Sequence, residues 1–207
     1  MIKEQFTDPQ ISSLRQILSY VSESGADYMT ERIVSEIPGA LALCEADFHR
    51  IASVTGDEGA AHIIRLIIAL NKRRRTDEFK TKRKYSDEGI RRLAAALLFG
   101  CPKETLAVLA LDQKERLVAH ELLSSGSANA SGITPRILLD IAEKRRASAL
   151  IVAHNHLNGD LVPSQEDVQF TKQMKRVLDA AGVKLLAHYV VAGGASRRIE
   201  SDFEYDD

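Results

Sequence analysis

The sequence predicts a mixed α/β domain preceded by a small all-helical one, and three observations carry that prediction. From residue 86 onward, apolar runs of strand length alternate with amphipathic runs of helix length, the order of a sheet with flanking helices. Ahead of residue 72 only helical spacings occur. Between the two regions lies a basic belt, Lys72-Arg73-Arg74-Arg75 and Lys80-Thr81-Lys82-Arg83-Lys84, broken only by Thr76-Asp77-Glu78-Phe79. The expected divisions are a helical domain over 1–76, a basic linker over 77–84 and the α/β domain over 85–207.

The elements follow in order. Ile11, Leu14, Ile17, Leu18 and Val21 keep helical spacing, as do Ile33, Val34 and Ile37 before Pro38-Gly39. Ala46 to Ser53 and Ala60 to Lys72 are two further helices flanking the turn Val54-Thr55-Gly56-Asp57-Glu58-Gly59. In the second region Asp87 to Phe99 is a helix. Leu106 to Leu111 and Leu117 to Leu123 are strands joined by the turn Asp112-Gln113-Lys114-Glu115-Arg116. A helix from Pro135 to Arg146 leads to the short apolar run Ser148 to Ala153, a buried strand. Ser164 opens an amphipathic helix through Phe170, Met174, Val177, Leu178 and Ala181 that stops at Gly182, and Leu185 to Val191 forms a last strand.

The run with most chemistry is His154-Asn155-His156, followed by Ser164 and Asp167. The histidines emerge at the carboxyl end of a strand, where residues two apart point the same way. His154 and His156 can therefore grip one ion while Asn155 faces away. Two imidazoles and a carboxylate are three of the four positions of a tetrahedral zinc, with the last left for water. Alone, Ser164-x-x-Asp167 is a helix cap that satisfies free amides. Together with His-x-His, it is a means of bringing Asp167 back to the histidines through the loop of Gly159 and Pro163.

Composition sets outer bounds. With 207 residues and 44% hydrophobic content, the chain has ample material for a core and room for two domains. Two cysteines argue against a disulfide scaffold, and neither Cys44 nor Cys101 has a histidine nearby in sequence for thiol chemistry. Met1-Ile2-Lys3-Glu4 begins no signal peptide, and no apolar run reaches the ~18 residues of a membrane span. The expected location is the cytoplasm. The net charge of -1 says nothing of partners, whereas the basic belt is an electrostatic footprint for nucleic acid through Lys72, Arg73, Arg74 and Arg75, or else a solvated linker.

His-x-His, seven residues, then Ser-x-x-Asp resembles the JAMM motif of the JAB/MPN metalloprotease superfamily. The chain resembles more narrowly the RadC-like (UPF0758) group, whose loop typically reads His-Asn-His-Pro-Ser-Gly-Asp. Here Leu157 and Asn158 replace the usual Pro and Ser. Neither is a proposed ligand, so the departure bears on loop rigidity more than on metal binding. The resemblance runs from about Tyr85 to Gly194, through Ser131-Gly132-Ile133-Thr134-Pro135-Arg136-Ile137 and Leu185-Leu186-Ala187-His188-Tyr189-Val190-Val191. It implies a JAB/MPN (cytidine-deaminase-like) mixed sheet with flanking helices. Family members usually carry Asp where this chain has Ala187, so His188 has lost an orienting partner and is expected to be a strand histidine of no assigned role. His49, His62 and His120 get the same reading.

The resemblance also implies a catalytic glutamate, which falls on Glu121, ahead of Gly126 and the Pro135 helix. Glu115 competes but lies in the turn. One zinc ion held by His154, His156 and Asp167 would activate water, Glu121 would act as general base, and Ser164 would donate to the oxyanion. That is a metallopeptidase or isopeptidase acting on a peptide or protein substrate. The helical region resembles the helix-hairpin-helix module of RadC-like proteins, but Asp57 and Glu58 stand where a phosphate would be received and would repel it. A DNA-repair or DNA-associated protein is the alternative, and a non-enzymatic interaction scaffold a third reading, against which the intact motif argues. A contiguous His-Asn-His also evokes a nuclease, but nucleases of that name spread those residues over a ββα unit.

Overall fold

The structure, a computed structural model, describes residues 5–124 and 133–199. Gly126, Ser131 and Gly132 lie outside the described residues, as does the chain beyond 199. Contacts divide the chain into two units. The first runs through Arg74 and takes back Phe99–Pro102, and the second holds Arg75–Leu98 and everything from Lys103 on.

The first unit is all helical: α1 (Asp8–Ser19), α2 (Ala26–Glu36), α3 (Ala40–Glu45), α4 (Phe48–Thr55) and α5 (Glu58–Asp77). Its core gathers Leu14, Leu18, Ile33, Ile51, Val54 and Ile64. Helix α4 is capped at its start by Asp47, whose Oδ1 accepts from Arg50 N at 2.7 Å. It ends at Gly56, whose φ of 70° is the left-handed conformation that glycine takes without strain. Helix α5 continues five residues past the expected Lys72, because arginine and lysine are good helix formers. Arg73, Arg74 and Arg75 therefore ride on its last turns.

The expected linker, 77–84, is not a bare connection. Phe79 and Tyr85 meet with tilted rings, centroids 5.5 Å apart, and pack against the second unit's core. Lys82 N donates to Leu117 O at 2.6 Å, Leu117 N donates to Arg83 O at 2.9 Å, and Lys84 bridges Arg116. The alternation of basic residues hides two aromatic anchors.

The second unit contains α6 (Asp87–Leu98), β1 (Thr105–Leu111), β2 (Leu117–Ser124), α7 (Pro135–Arg145), β3 (Ala149–Asn155), α8 (Gln165–Ala180), β4 (Lys184–Ala192) and β5 (Ala195–Arg198). The sheet order is β2-β1-β3-β4-β5. Among the described residues only β3 and β4 pair in parallel, joined by α8. Every residue of β1 is buried, as befits a strand covered on both faces. Leu93, Leu97, Leu109, Ile151 and Tyr189 pack on the α6 side. Val108, Val152, Leu138, Met174 and Leu178 pack on the α7 and α8 side. The mixed sheet with flanking helices is the expected architecture. Among the described residues no helix is long and apolar enough to cross a membrane.

Candidate metal centre

Strand period positions the first candidate ligand. Leu150 and Val152 face α7 and α8, so His154 emerges on that face at the end of β3. Asn155 takes the opposite face, where it is buried. Its Oδ1 accepts from Thr105 N at 2.7 Å and its Nδ2 donates to Lys103 O at 3.2 Å, which ties the strand end to the start of β1. His156 lies just beyond the strand, held by its backbone N–H to Val191 O at 2.9 Å.

The loop that follows is braced by its own side chains. Asn158 Oδ1 accepts from Asp160 N at 3.0 Å, and Asp160 Oδ1 accepts from Val162 N at 2.8 Å. These are Asx turns. Gly159, with φ 78°, supplies the left-handed step between them. Asn158 thus supplies by hydrogen bonding the order expected of the family's Pro-Ser, and His156 Nδ1 is left against Asp160 O at 2.9 Å. A carbonyl can only accept, so His156 carries its proton on Nδ1 and presents a bare Nε2.

Helix α8 delivers the third candidate ligand. Ser164 caps it, accepting from Asp167 N at 3.1 Å, and Asp167 Oδ2 reciprocates by accepting from Ser164 N at 2.8 Å. The Ser164 hydroxyl also donates to Asp167 Oδ2 at 2.7 Å. The helix cap is therefore also what places the Asp167 carboxylate beside the histidines. Ser164 accordingly spends its hydroxyl proton on Asp167, and an oxyanion would have to take that proton from the carboxylate.

The three groups converge. His154 Nε2 and His156 Nε2 lie 3.0 Å apart, and the Asp167 carboxylate is 3.2 Å from the first and 3.4 Å from the second. One donor atom from each can be chosen with all three within 4.8 Å of one another. Their side chains keep 11%, 13% and 21% of their exposure, leaving an open side for a further ligand. Burial holds His154 below the ordinary histidine range, against the opposing pull of Asp167. Burial would raise the Asp167 carboxyl, but the Ser164 hydrogen bonds and the nearby histidines outweigh it and hold the group below its usual value. A neutral His154 imidazole beside an ionised Asp167 carboxylate has the protonation states of metal ligands. The donor set fits zinc, which takes nitrogen and oxygen ligands in tetrahedral sites.

Glu121 stands outside this group. Register pairs Glu121 with Val108 and Val108 with Val152, so it shares the face of His154 but lies two strands across and one same-face position back. Its Oε1 accepts from Arg145 Nε at 2.8 Å, at the far end of α7. Glu115 forms an exposed ion pair with Lys84 in the turn. Of the remaining histidines, His49 and His62 are exposed and rest against Phe48, and His120 is exposed on the edge strand.

His188, expected to be a strand histidine of no assigned role, lies against a candidate ligand. It is 2% exposed, with Nε2 2.8 Å from His154 Nδ1 and Nδ1 2.7 Å from Thr171 Oγ1. Burial, then the neighbouring His154, pushes its pKa down to about 3. Nor has it lost a partner at 187. Ala187 packs with Tyr189 and Val191 on the α6 side of the sheet, so a side chain there points away from the His188 ring. Thr171 was also missed. The available signal was its place four residues after Asp167, on the same helix face.

In the first unit, the helical hairpin answers the question its acidic residues raise. Asp57 Oδ1 accepts from Ala60 N at 2.8 Å, so the carboxylate occupies the start of α5 where an anion would otherwise be received. Among the belt residues, Lys72 Nζ donates to Cys101 Sγ at 3.2 Å.

A mixed sheet that presents two histidines at a strand end and an aspartate from the following helix cap is a domain of the JAB/MPN type. The chain belongs to the RadC-like JAB domain family, whose model matches residues 85–200. A UPF0758 protein of Marinomonas sp. (strain MWYL1) is 30% identical over 168 residues, 80% of this chain and 75% of that protein. One of Caldanaerobacter subterraneus subsp. tengcongensis is 27% identical over 206 residues, 96% of this chain and 88% of that protein. A third, from Cupriavidus pinatubonensis, is 42% identical over 91 residues, 44% of this chain and 40% of that protein.

Proposed function

We propose that this protein is a zinc-dependent hydrolase that cleaves peptide or isopeptide bonds. The observation that carries the reading is the convergence of His154 Nε2, His156 Nε2 and the Asp167 carboxylate, with an open side toward solvent. Two nitrogen lone pairs 3.0 Å apart repel unless a cation or a proton lies between them. These three residues would hold the ion. When bound, zinc supplies Lewis acidity that lowers the pKa of water toward ~7.

The chain's own groups do the rest. Ser164 keeps the Asp167 carboxylate oriented and ionised. Glu121, once its carboxylate turns from Arg145, takes the proton of the attacking water and passes it to the departing amine. The Ser164 hydroxyl, exchanging Asp167 for the substrate, donates to the oxyanion that forms on the attacked carbonyl. No covalent intermediate on a serine or cysteine is required.

The test is hydrolysis of a panel of fluorogenic peptides and of amides made on a lysine ε-amine, with zinc-loaded protein, with chelator, and with Glu121→Gln. Cleavage of one or more amides that chelator and the substitution both abolish is the expected result. Cleavage that survives both, or no cleavage of any amide by the zinc-loaded protein, contradicts the proposal.

A further inference from the structure

Beside the three candidate ligands the structure carries a buried hydrogen-bond chain, and its direction can be worked out from one distance. Thr171 Oγ1 lies 2.6 Å from Asp167 O, the backbone carbonyl one helical turn back. Two oxygens that close need a proton between them, and a carbonyl has none, so the Thr171 hydroxyl donates there. A hydroxyl has one proton. Toward His188 Nδ1, 2.7 Å away, Thr171 can therefore only accept, and Nδ1 is the protonated nitrogen of His188.

The rest follows residue by residue. Neutral His188 with its proton on Nδ1 has a bare Nε2. That atom faces His154 Nδ1 at 2.8 Å, so His154 must donate from Nδ1. The proton of His154 is thereby fixed on the nitrogen away from the site, and its Nε2 is left bare beside His156 and Asp167. The reverse chain, with Thr171 donating to His188, would put a proton on His154 Nε2 and close that nitrogen to a metal ion. It would also leave the 2.6 Å oxygen pair without a proton.

We infer that Thr171 and His188 are positioning residues that fix His154 as its Nδ1–H tautomer and so hold Nε2 ready for a metal ion. The inference rests on the metal reading proposed above. The design is economical in a physical sense. The chain starts at the backbone of Asp167 and ends at His154, so one ligand's helix sets the tautomer of another ligand through a buried imidazole. His188 reaches the site from β4, paired with Val152 one same-face step before His154. Metal-ligating histidines generally use such an outer partner to fix tautomer and ring orientation. His156 uses the Asp160 carbonyl for this, and His154 uses His188.

Zinc affinity by chelator competition, for the full chain and for Thr171→Val, Thr171→Ser and His188→Leu, is one half of the test. Thr171→Val and His188→Leu should each bind zinc roughly 10–100-fold more weakly, and Thr171→Ser should bind as the parent does. The second half needs no metal. Long-range proton–nitrogen NMR spectra of 15N-histidine-labelled, zinc-free parent at mildly alkaline pH should show His154 and His188 protonated on Nδ1, and Thr171→Val should lose that pattern at His188. His188→Leu removes a buried ring, so Thr171→Val, nearly isosteric, decides if that variant fails to fold. A parent whose His154 carries its proton on Nε2, or a Thr171→Val that binds zinc as tightly as the parent, overturns the inference while leaving the metal site standing. A parent that binds no zinc at all overturns the metal reading instead, and the tautomer spectra still judge the hydrogen-bond chain.

Discussion

Ser164→Ala separates what the helix cap contributes from what the metal site contributes. The substitution removes an acceptor for Asp167 N and a donor to Asp167 Oδ2, while the Ser164 N–H bond to the carboxylate survives. Losing a serine cap costs about 1 kcal/mol. Losing a hydrogen bond to a charged acceptor costs about 1.5 kcal/mol at the lower end of its range, which suits an exposed position. The two overlap in one side chain, so about 2 kcal/mol in all is expected, or about 4–8 °C in the melting temperature of a chain this long. Zinc affinity should fall by about 10–100-fold, because Asp167 loses a bond that orients it. Ser164→Asp is the control. Aspartate caps as well as serine, but ionised it can only accept, and its charge stands beside Asp167 at a cost of about 1 kcal/mol in water. The retained cap is offset by the lost bond and the added repulsion, so it should melt about as low as Ser164→Ala and still bind zinc poorly, with zinc content measured directly because the new carboxylate offers another donor. Calorimetry and chelator competition provide both readouts. A Ser164→Ala variant that melts and binds zinc as the parent does would refute the coupling of cap and ligand.

Other outcomes follow from the same geometry. Glu121→Gln should keep a full complement of zinc and lose amide hydrolysis, whereas Asp167→Ala should lose both, as metal analysis beside a cleavage assay would show. Gly56→Ala places a Cβ at φ 70° with open space around it, so backbone strain alone should destabilise the helical unit by about 1–2 kcal/mol, read from its thermal unfolding. Burial raises the Glu45 carboxyl above its ordinary value, so its charged form is disfavoured in the folded chain. Glu45→Gln should therefore melt higher than the parent near neutral pH, and that gap should close as pH falls and both folded and unfolded forms become protonated.

Much of the second unit could be read from residue spacing because strand and helix periods differ so clearly there. The placement of His154, Asn155 and His156 follows from period two, and that of Asp167 from the cap chemistry of Ser164. What was not legible depends on tertiary pairing. His188 and Thr171 are 17 residues apart, on β4 and α8, and no local pattern joins them. The turn of Glu121 toward Arg145 depends on how α7 lies against β2. Strand β5 had a signal in Gly193-Gly194, a two-residue hairpin turn in which both residues take positive φ, but its short polar strand has no apolar alternation to announce it. The basic belt misleads in the other direction. Its charges read as solvated linker, although its first half extends a helix and Phe79 and Tyr85 anchor its second half.

The central claim is that His154, His156 and Asp167 form one metal site. Metal analysis of protein purified without chelator, beside His154→Ala purified in the same way, tests it most directly. About one zinc per chain in the parent and far less in the variant is the predicted result. A parent without zinc that also fails to take it up on addition, or a His154→Ala variant that retains a full equivalent, would contradict it.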